Sequence, residues 1–206
     1  MMIKTMIFFA LFLGINPIFA NALPMDAEAG KKLPEIKSAI ENIRKNGSIS
    51  DKDQQVVAQD LASGDGVLIS LAAYAIGQSK KKETSLCAKA EEILKTNTDA
   101  MAEAFVRLTL LKKSAEGKTV SERIALLEAL LKTANPFLRV EAAKEIFRIH
   151  PQKGEGALKK IALEDANAIA KSEAFNQLDK IGKRDAIEPT FQPSERYQLL
   201  LSIIEK

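Results

Sequence analysis

The chain has one cysteine, one histidine and no tryptophan. A lone Cys87 cannot form an internal disulfide, so stability has to come from packing. With only His150 and Cys87 to draw on, nucleophilic catalysis has little material, and no residue clusters with either at metal-ligand spacing. No calcium-loop pattern is present, and the glycine-bearing stretches Gly64-Asp65-Gly66 and Gly154-Glu155-Gly156 are too short for a phosphate cradle; they read as turns before helices. Aromatic residues are scarce, which argues against a surface that stacks sugars. Charge is nearly balanced, 30 Lys and Arg against 27 Asp and Glu, so bulk attraction to nucleic acid or to a membrane surface has no basis. No cofactor motif is found.

There is one long apolar run, at the very start. Met1 to Lys4 carry a single positive charge, the following residues to Phe19 are almost wholly apolar, and Ala20-Asn21-Ala22 supplies small residues before a cleavage point. This layout is that of a secretory signal peptide, residues 1–22, and the run is short of the ~20 residues that span a bilayer as a helix. The competing reading is an uncleaved anchor. No cysteine follows the cleavage point, which argues against a lipoprotein. The expected mature protein is periplasmic or secreted, without stable membrane insertion, and comprises a mobile N-terminus at 23–32 and one domain at 33–206.

Beyond residue 32 apolar residues recur at intervals of three and four, as in Leu33, Ile36, Ile40 and Ile43. Gly47 suits a left-handed helix end, and Ser50 before Asp51-Lys52-Asp53 suits a helix start. Strict alternation is rare and Ala, Leu, Lys and Glu abound, so the fold class is all-α. Four segments align without gaps at 65–77, 97–109, 135–147 and 167–179. Each begins with Asp65, Asn97, Asn135 or Asn167, carries Ala72, Ala104, Ala142 or Ala174 seven residues later, and Ile76, Leu108, Ile146 or Leu178 four beyond that. The amide or acid caps a helix start, the alanine admits a neighbouring helix, and the branched residue fills the core on the same face. Further apolar helices are expected near 51–62, 84–95, 119–132 and 154–163, each joined to its repeat helix by a very short turn. Short turns make antiparallel hairpins, which must stack to bury their apolar faces.

The third unit, Asn135-Pro136-Phe137-Leu138-Arg139-Val140-Glu141-Ala142-Ala143 followed by Ile146 and Ile149, resembles HEAT repeats of the short Armadillo-like class. The fourth keeps Asn167, Lys171, Ala174, Leu178 and Ile181-Gly182; the first and second place Ile69 and Met101 where the family carries arginine. The resemblance covers roughly 51–182. It implies a right-handed superhelical stack of antiparallel helix pairs, an α-solenoid of four pairs, with residues 33–45 and 194–205 as capping helices and the loop 183–193 pinned by Ile187 and Phe191.

Within this reading His150 is a helix-terminal cation favoured by the helix dipole and Cys87 a buried structural thiol. Lys80-Lys81-Lys82 is a solvated linker, and Glu91-Glu92 and Glu164-Asp165 are solvated surface. In the implied family the second helix of each pair lines a concave face. If Ala142, Ile146 and Ile149 face the core, Lys144 and Arg148 face away. Through the alignment these two positions become a track of Tyr74, Val106 and Leu110 at an apolar end and Lys144, Arg148 and Lys180 at a basic end, suited to a protein or peptide segment with an apolar anchor and an acidic end. The expected function is a non-catalytic interaction scaffold. The alternatives are an accessory subunit of an exported enzyme or envelope assembly machine, and a carboxylate-dependent enzyme.

Overall fold

The computed structural model describes residues 27–183 and 195–205. Residues 1–22, expected as a signal peptide, and the expected pins Ile187 and Phe191 lie outside the described residues. Within them the chain forms ten α-helices and no strand, so it is all-α. These are α1 (Ala27–Asn46), α2 (Asp51–Leu61), α3 (Gly66–Gln78), α4 (Thr84–Thr96), α5 (Ala100–Ser114), α6 (Val120–Leu130), α7 (Pro136–Ile149), α8 (Pro151–Glu164), α9 (Ala168–Lys180) and α10 (Glu195–Ile204).

The helix starts follow from side chains able to accept backbone N–H groups. Ser50 accepts from Asp53, Asp65 from Val67 and Leu68, Asn135 from Leu138 with Pro136 directly behind it, and Asn167 from Ile169 and Ala170. Gly47 takes φ +69° and closes α1 on the Ile43 carbonyl. The second repeat helix departs from the expected register. Its cap is Asp99, whereas Asn97 ends α4 and folds back to accept from the Asp99 N–H at 2.6 Å. Residues 27–32 belong to α1, which runs through Pro34, with Ala29 buried. Proline in a helix interior loses one hydrogen bond, and here the packed stripe from Ala29 through Ile43 outweighs that loss. The helix expected near 154–163 starts earlier, at Pro151, where proline needs no N–H partner.

Consecutive helices pair as expected: α2 with α3, α4 with α5, α6 with α7, and α8 with α9. The second helices also touch in series, α3 to α5, α5 to α7, and α7 to α9; we call them the inner helices. At the N-terminal end α1 packs on α2 and α3. Helix α7 belongs to two apolar clusters. Phe137, Leu138, Ala142 and Ile146 join the main cluster shared with α1 to α6 and α10, and Val140 and Ala143 join a second with Leu158, Ile161, Ala170, Ala174 and Leu178. Arg139 links the third and fourth units, donating two 2.7 Å bonds to the Asp165 carboxylate and others to the Thr133 and Ala134 carbonyls. Asp165, expected as solvated surface, is therefore a buried ion-pair partner.

The helix expected at 194–205 is α10, which packs on α3 and reaches the Asp99 cap of α5 and side chains of α7 and α9.

Two predictions follow from this packing. Gly154 lies so close to α7 that an added Cβ would sit 2.1 Å from the Phe147 Cα. Gly154→Ala is expected to lower stability by about 2–4 kcal/mol in denaturant unfolding, as backbone must move apart from backbone. Asp60 is buried on α2 with Oδ2 unpartnered, and burial raises its pKa from 3.8 to about 6, Lys32 opposing and Glu35 and Asp65 adding to the rise. A raised folded-state pKa means its stability contribution is fully present below pH 3.8 and lost as pH rises through about 6. Asp60→Asn is expected to raise stability at pH 7.5 by about 1–3 kcal/mol, the gain vanishing in unfolding curves recorded below about pH 4.

Candidate functional site

The caps Asp65, Asp99, Asn135 and Asn167 set the true register of the inner helices. Counting from them, the positions equivalent to Lys144 are Tyr74, Leu108 and Asn176, and those equivalent to Arg148 are Gln78, Lys112 and Lys180. The expected track was thus shifted by two residues in the second unit, which is about 200° around a helix. Val106 stands where the other units place Ala72, Ala142 and Ala174, and all four are fully buried. Leu110 stands at the core position of Ile76, Ile146 and Leu178 and packs partly buried against the main cluster. Neither lies at an open surface.

Tyr74 and Lys144 lie under α10. The ammonium of Lys144 is buried, donating to Glu141 Oε1 at 2.8 Å and Glu205 Oε1 at 3.2 Å. Burial works to lower its pKa, but the two carboxylates outweigh it and hold the charge. Lys180 donates to the other oxygen of Glu205 at 2.6 Å. Tyr197, fully buried, tilts its ring against Phe137 at 4.9 Å and donates its hydroxyl to Glu141 at 2.7 Å; burial, then Glu141 and Glu173, push that hydroxyl well above its usual range. The last carbonyl of α10, on Ile204, accepts from the Arg44 guanidinium and, at 3.2 Å, from Tyr74. A cation and a hydroxyl thus complete the helix C-terminus. At the other end Arg196 reaches Asp65 at 3.6 Å and Asp99 at 3.4 Å, using the oxygens that the capping bonds leave free. The two caps can stand so close because Gly66 has no side chain; a Cβ there would lie 2.3 Å from Asp99 Oδ2. Of the expected track, Tyr74, Lys144 and Lys180 are thus taken by Ile204 and Glu205 of the chain itself.

The second row of the track, one turn further on, is not covered in this way. Arg148 and Lys180 keep about half of their side-chain surface exposed, and Lys112 about a third. Glu145, in the wall below them, accepts from Lys112 at 3.3 Å and Arg148 at 2.8 Å; burial would raise its pKa, and the two cations bring it below the usual range instead. This edge opens into a cavity of about 330 Å³ between the ends of α3 and α5, the 115–118 turn, α6 and α7. Lys112 and Arg123 line it together with Lys113 and Lys118. Its apolar wall is Leu111, Leu127 and Ile149. Sequence reasoning missed Lys112 because of the register shift, and missed Arg123 because it lies on the partner helix α6.

His150 caps α8, its Nδ1 accepting from Lys153 at 3.5 Å, so the imidazole serves as an acceptor. The Cys87 thiol is partly buried and its pKa is raised by burial, which makes it a poor nucleophile. Among the described residues no group of three or more His, Cys, Asp and Glu could hold a metal ion, and no helix is long and apolar enough to cross a membrane. Comparison with protein-family models, with curated proteins and with solved structures gives no match.

Removing the Tyr197 hydroxyl leaves a buried Glu141 oxygen with Lys144 as its partner. Tyr197→Phe is expected to cost about 1–3 kcal/mol and Tyr197→Ala about 3–5 kcal/mol in urea unfolding. Equal, near-zero losses would mean that α10 is not seated on the inner helices.

Proposed function

We propose that the protein is an exported, non-catalytic interaction scaffold of the HEAT-like superhelical class. Its helix pairs stack into a rigid frame, and its contact surface is the basic edge of the inner helices, Lys112, Arg148 and Lys180. The observation that carries this reading is the division of the inner helices into two rows. One row is filled by α10 and serves stability, while the next presents cations, a third to a half exposed, at the same position of three successive inner helices. Such a ladder suits an acidic segment of a protein partner, with rim charges setting encounter rate and salt dependence. The short arrangement of one histidine and one inert thiol supports a binding role over a catalytic one. The N-terminal apolar segment with its small-residue cleavage point supports a periplasmic or extracellular site of action.

The test is capture of a stoichiometric partner from an envelope extract by the 23–206 chain, with Arg148→Gln/Lys180→Gln as the comparison. Wild type is expected to retain one partner, weakened by added salt, and the double variant to retain at least about ten-fold less. Capture that is unchanged by the double variant sinks the proposal.

A further inference from the structure

We propose that the cavity between α5, α6 and α7 is a binding site for a carboxylate attached to a compact apolar body, the chemistry shared by a free aliphatic acid and by the C-terminal residue of a peptide. This deepens the reading above, naming the group that the basic edge takes, yet it is measured without any protein partner.

Charge comes first. Four cations line the cavity against two carboxylates, Glu116 and Glu145. Lys112 is neutralised by Glu145 at 3.3 Å, and Lys113 by Glu116 at 2.8 Å with the Ser79 and Lys81 carbonyls as further acceptors. Lys118 and Arg123 have no ion pair among the described residues, Lys118 lying in the field of the Glu122 carboxylate, and the lining side chains sum to two positive charges.

The second observation is the Arg123 guanidinium. Its Nε is buried and has no hydrogen-bond partner. Buried donors in folded proteins are nearly always satisfied, and an unpartnered Nε on a side chain that lines the cavity is a donor an incoming acceptor takes up once the side chain turns toward it. The Nε edge of a guanidinium is a planar fork that fits the two oxygens of a carboxylate.

The third is the remainder of the wall. Leu111, Leu127 and Ile149 form an apolar surface beside this fork, and about 330 Å³ is at the small end of small-molecule sites. A bare anion would leave that surface unused. Phosphate is disfavoured for a further reason. The N-terminus of α6, which could offer amides to it, is closed by the Thr119–Glu122 capping box, which occupies the Thr119 and Glu122 amides and places a carboxylate there.

The experiment follows the amide resonances of Gly77 and Gly117, both in the cavity wall, in the 23–206 chain during titration. The probes are hexanoate, N-acetyl-leucine, N-acetyl-leucinamide and inorganic phosphate. Saturable shifts are expected with hexanoate or N-acetyl-leucine, and none with the amide. The tighter of the two acids tells a free acid from a peptide terminus. Arg123→Gln is expected to weaken binding by ten-fold or more, and Arg123→Lys, which keeps the charge and loses the fork, by several-fold. Circular dichroism of both variants checks the fold, and Arg123→Lys carries the test if Arg123→Gln does not fold. Absence of saturation by either acid at roughly 10 mM, where even a millimolar site would be filled, overturns the proposal. So does binding that is indifferent to both variants, or phosphate binding tighter than either acid. Acid binding with no protein partner captured would sink the scaffold reading alone; partner capture with no acid binding would sink this one alone.

Discussion

Lys144 is buried near the middle of α7, and a buried ammonium is tolerable only when it is paired and hydrogen-bonded on several sides. Glu141, one turn earlier on the same helix, supplies part of that. The rest comes from Glu205, just beyond α10, so the C-terminal helix has to be seated for the centre of the molecule to be electrically complete. Much of the structure depends on this. Tyr197 satisfies the Glu141 oxygen that also holds Lys144, Glu205 ties Lys144 to Lys180, and Arg44 and Tyr74 take the end of α10. Helices α1, α3, α7 and α9 thus meet at one short segment.

The seat explains details that otherwise look arbitrary. The first two inner helices are capped by aspartates and the last two by asparagines. All four side chains can cap a helix, but only the aspartates offer a second anionic oxygen, and it is to these that Arg196 reaches. Asn135 spends its amide instead on the Ala100 carbonyl and on Glu103, fastening α7 to α5. Filling the inner face with α10 also moves the place where anything else could bind. What remains open is the row of cations one turn on and the cavity beneath it, at the ends of the inner helices and away from their buried middles.

Much of this was legible along the chain. Three of the four inner caps, the proline start of α7, the Gly47 helix end and the alternation of outer and inner helices are local effects, governed by residues within a turn of one another. The second cap was misread because Asn97 and Asp99 are both competent caps. The choice falls on Asp99 because Arg196 comes to it from nearly a hundred residues away, and Gly66 leaves room for it. That shift of two residues carried Val106 and Leu110 into the expected binding track and left Lys112 out. Gly154 likewise reads as a turn glycine until the approach of α8 to the Phe147 backbone is known.

The sequence by itself determined that the chain is helical, where most helices start, which helices pair, and that the position two residues past Ile146 and Leu178 carries a basic residue. These follow from side-chain spacing and capping, whose range is a few residues. The tertiary structure alone decided that the C-terminal helix lies on the inner row instead of at its end, that Lys144 is buried while Arg148 is half exposed, and that Arg123, its Nε unpartnered, lines a cavity. Each depends on what packs against a residue from a distant part of the chain, and the pattern of a single helix holds no record of that.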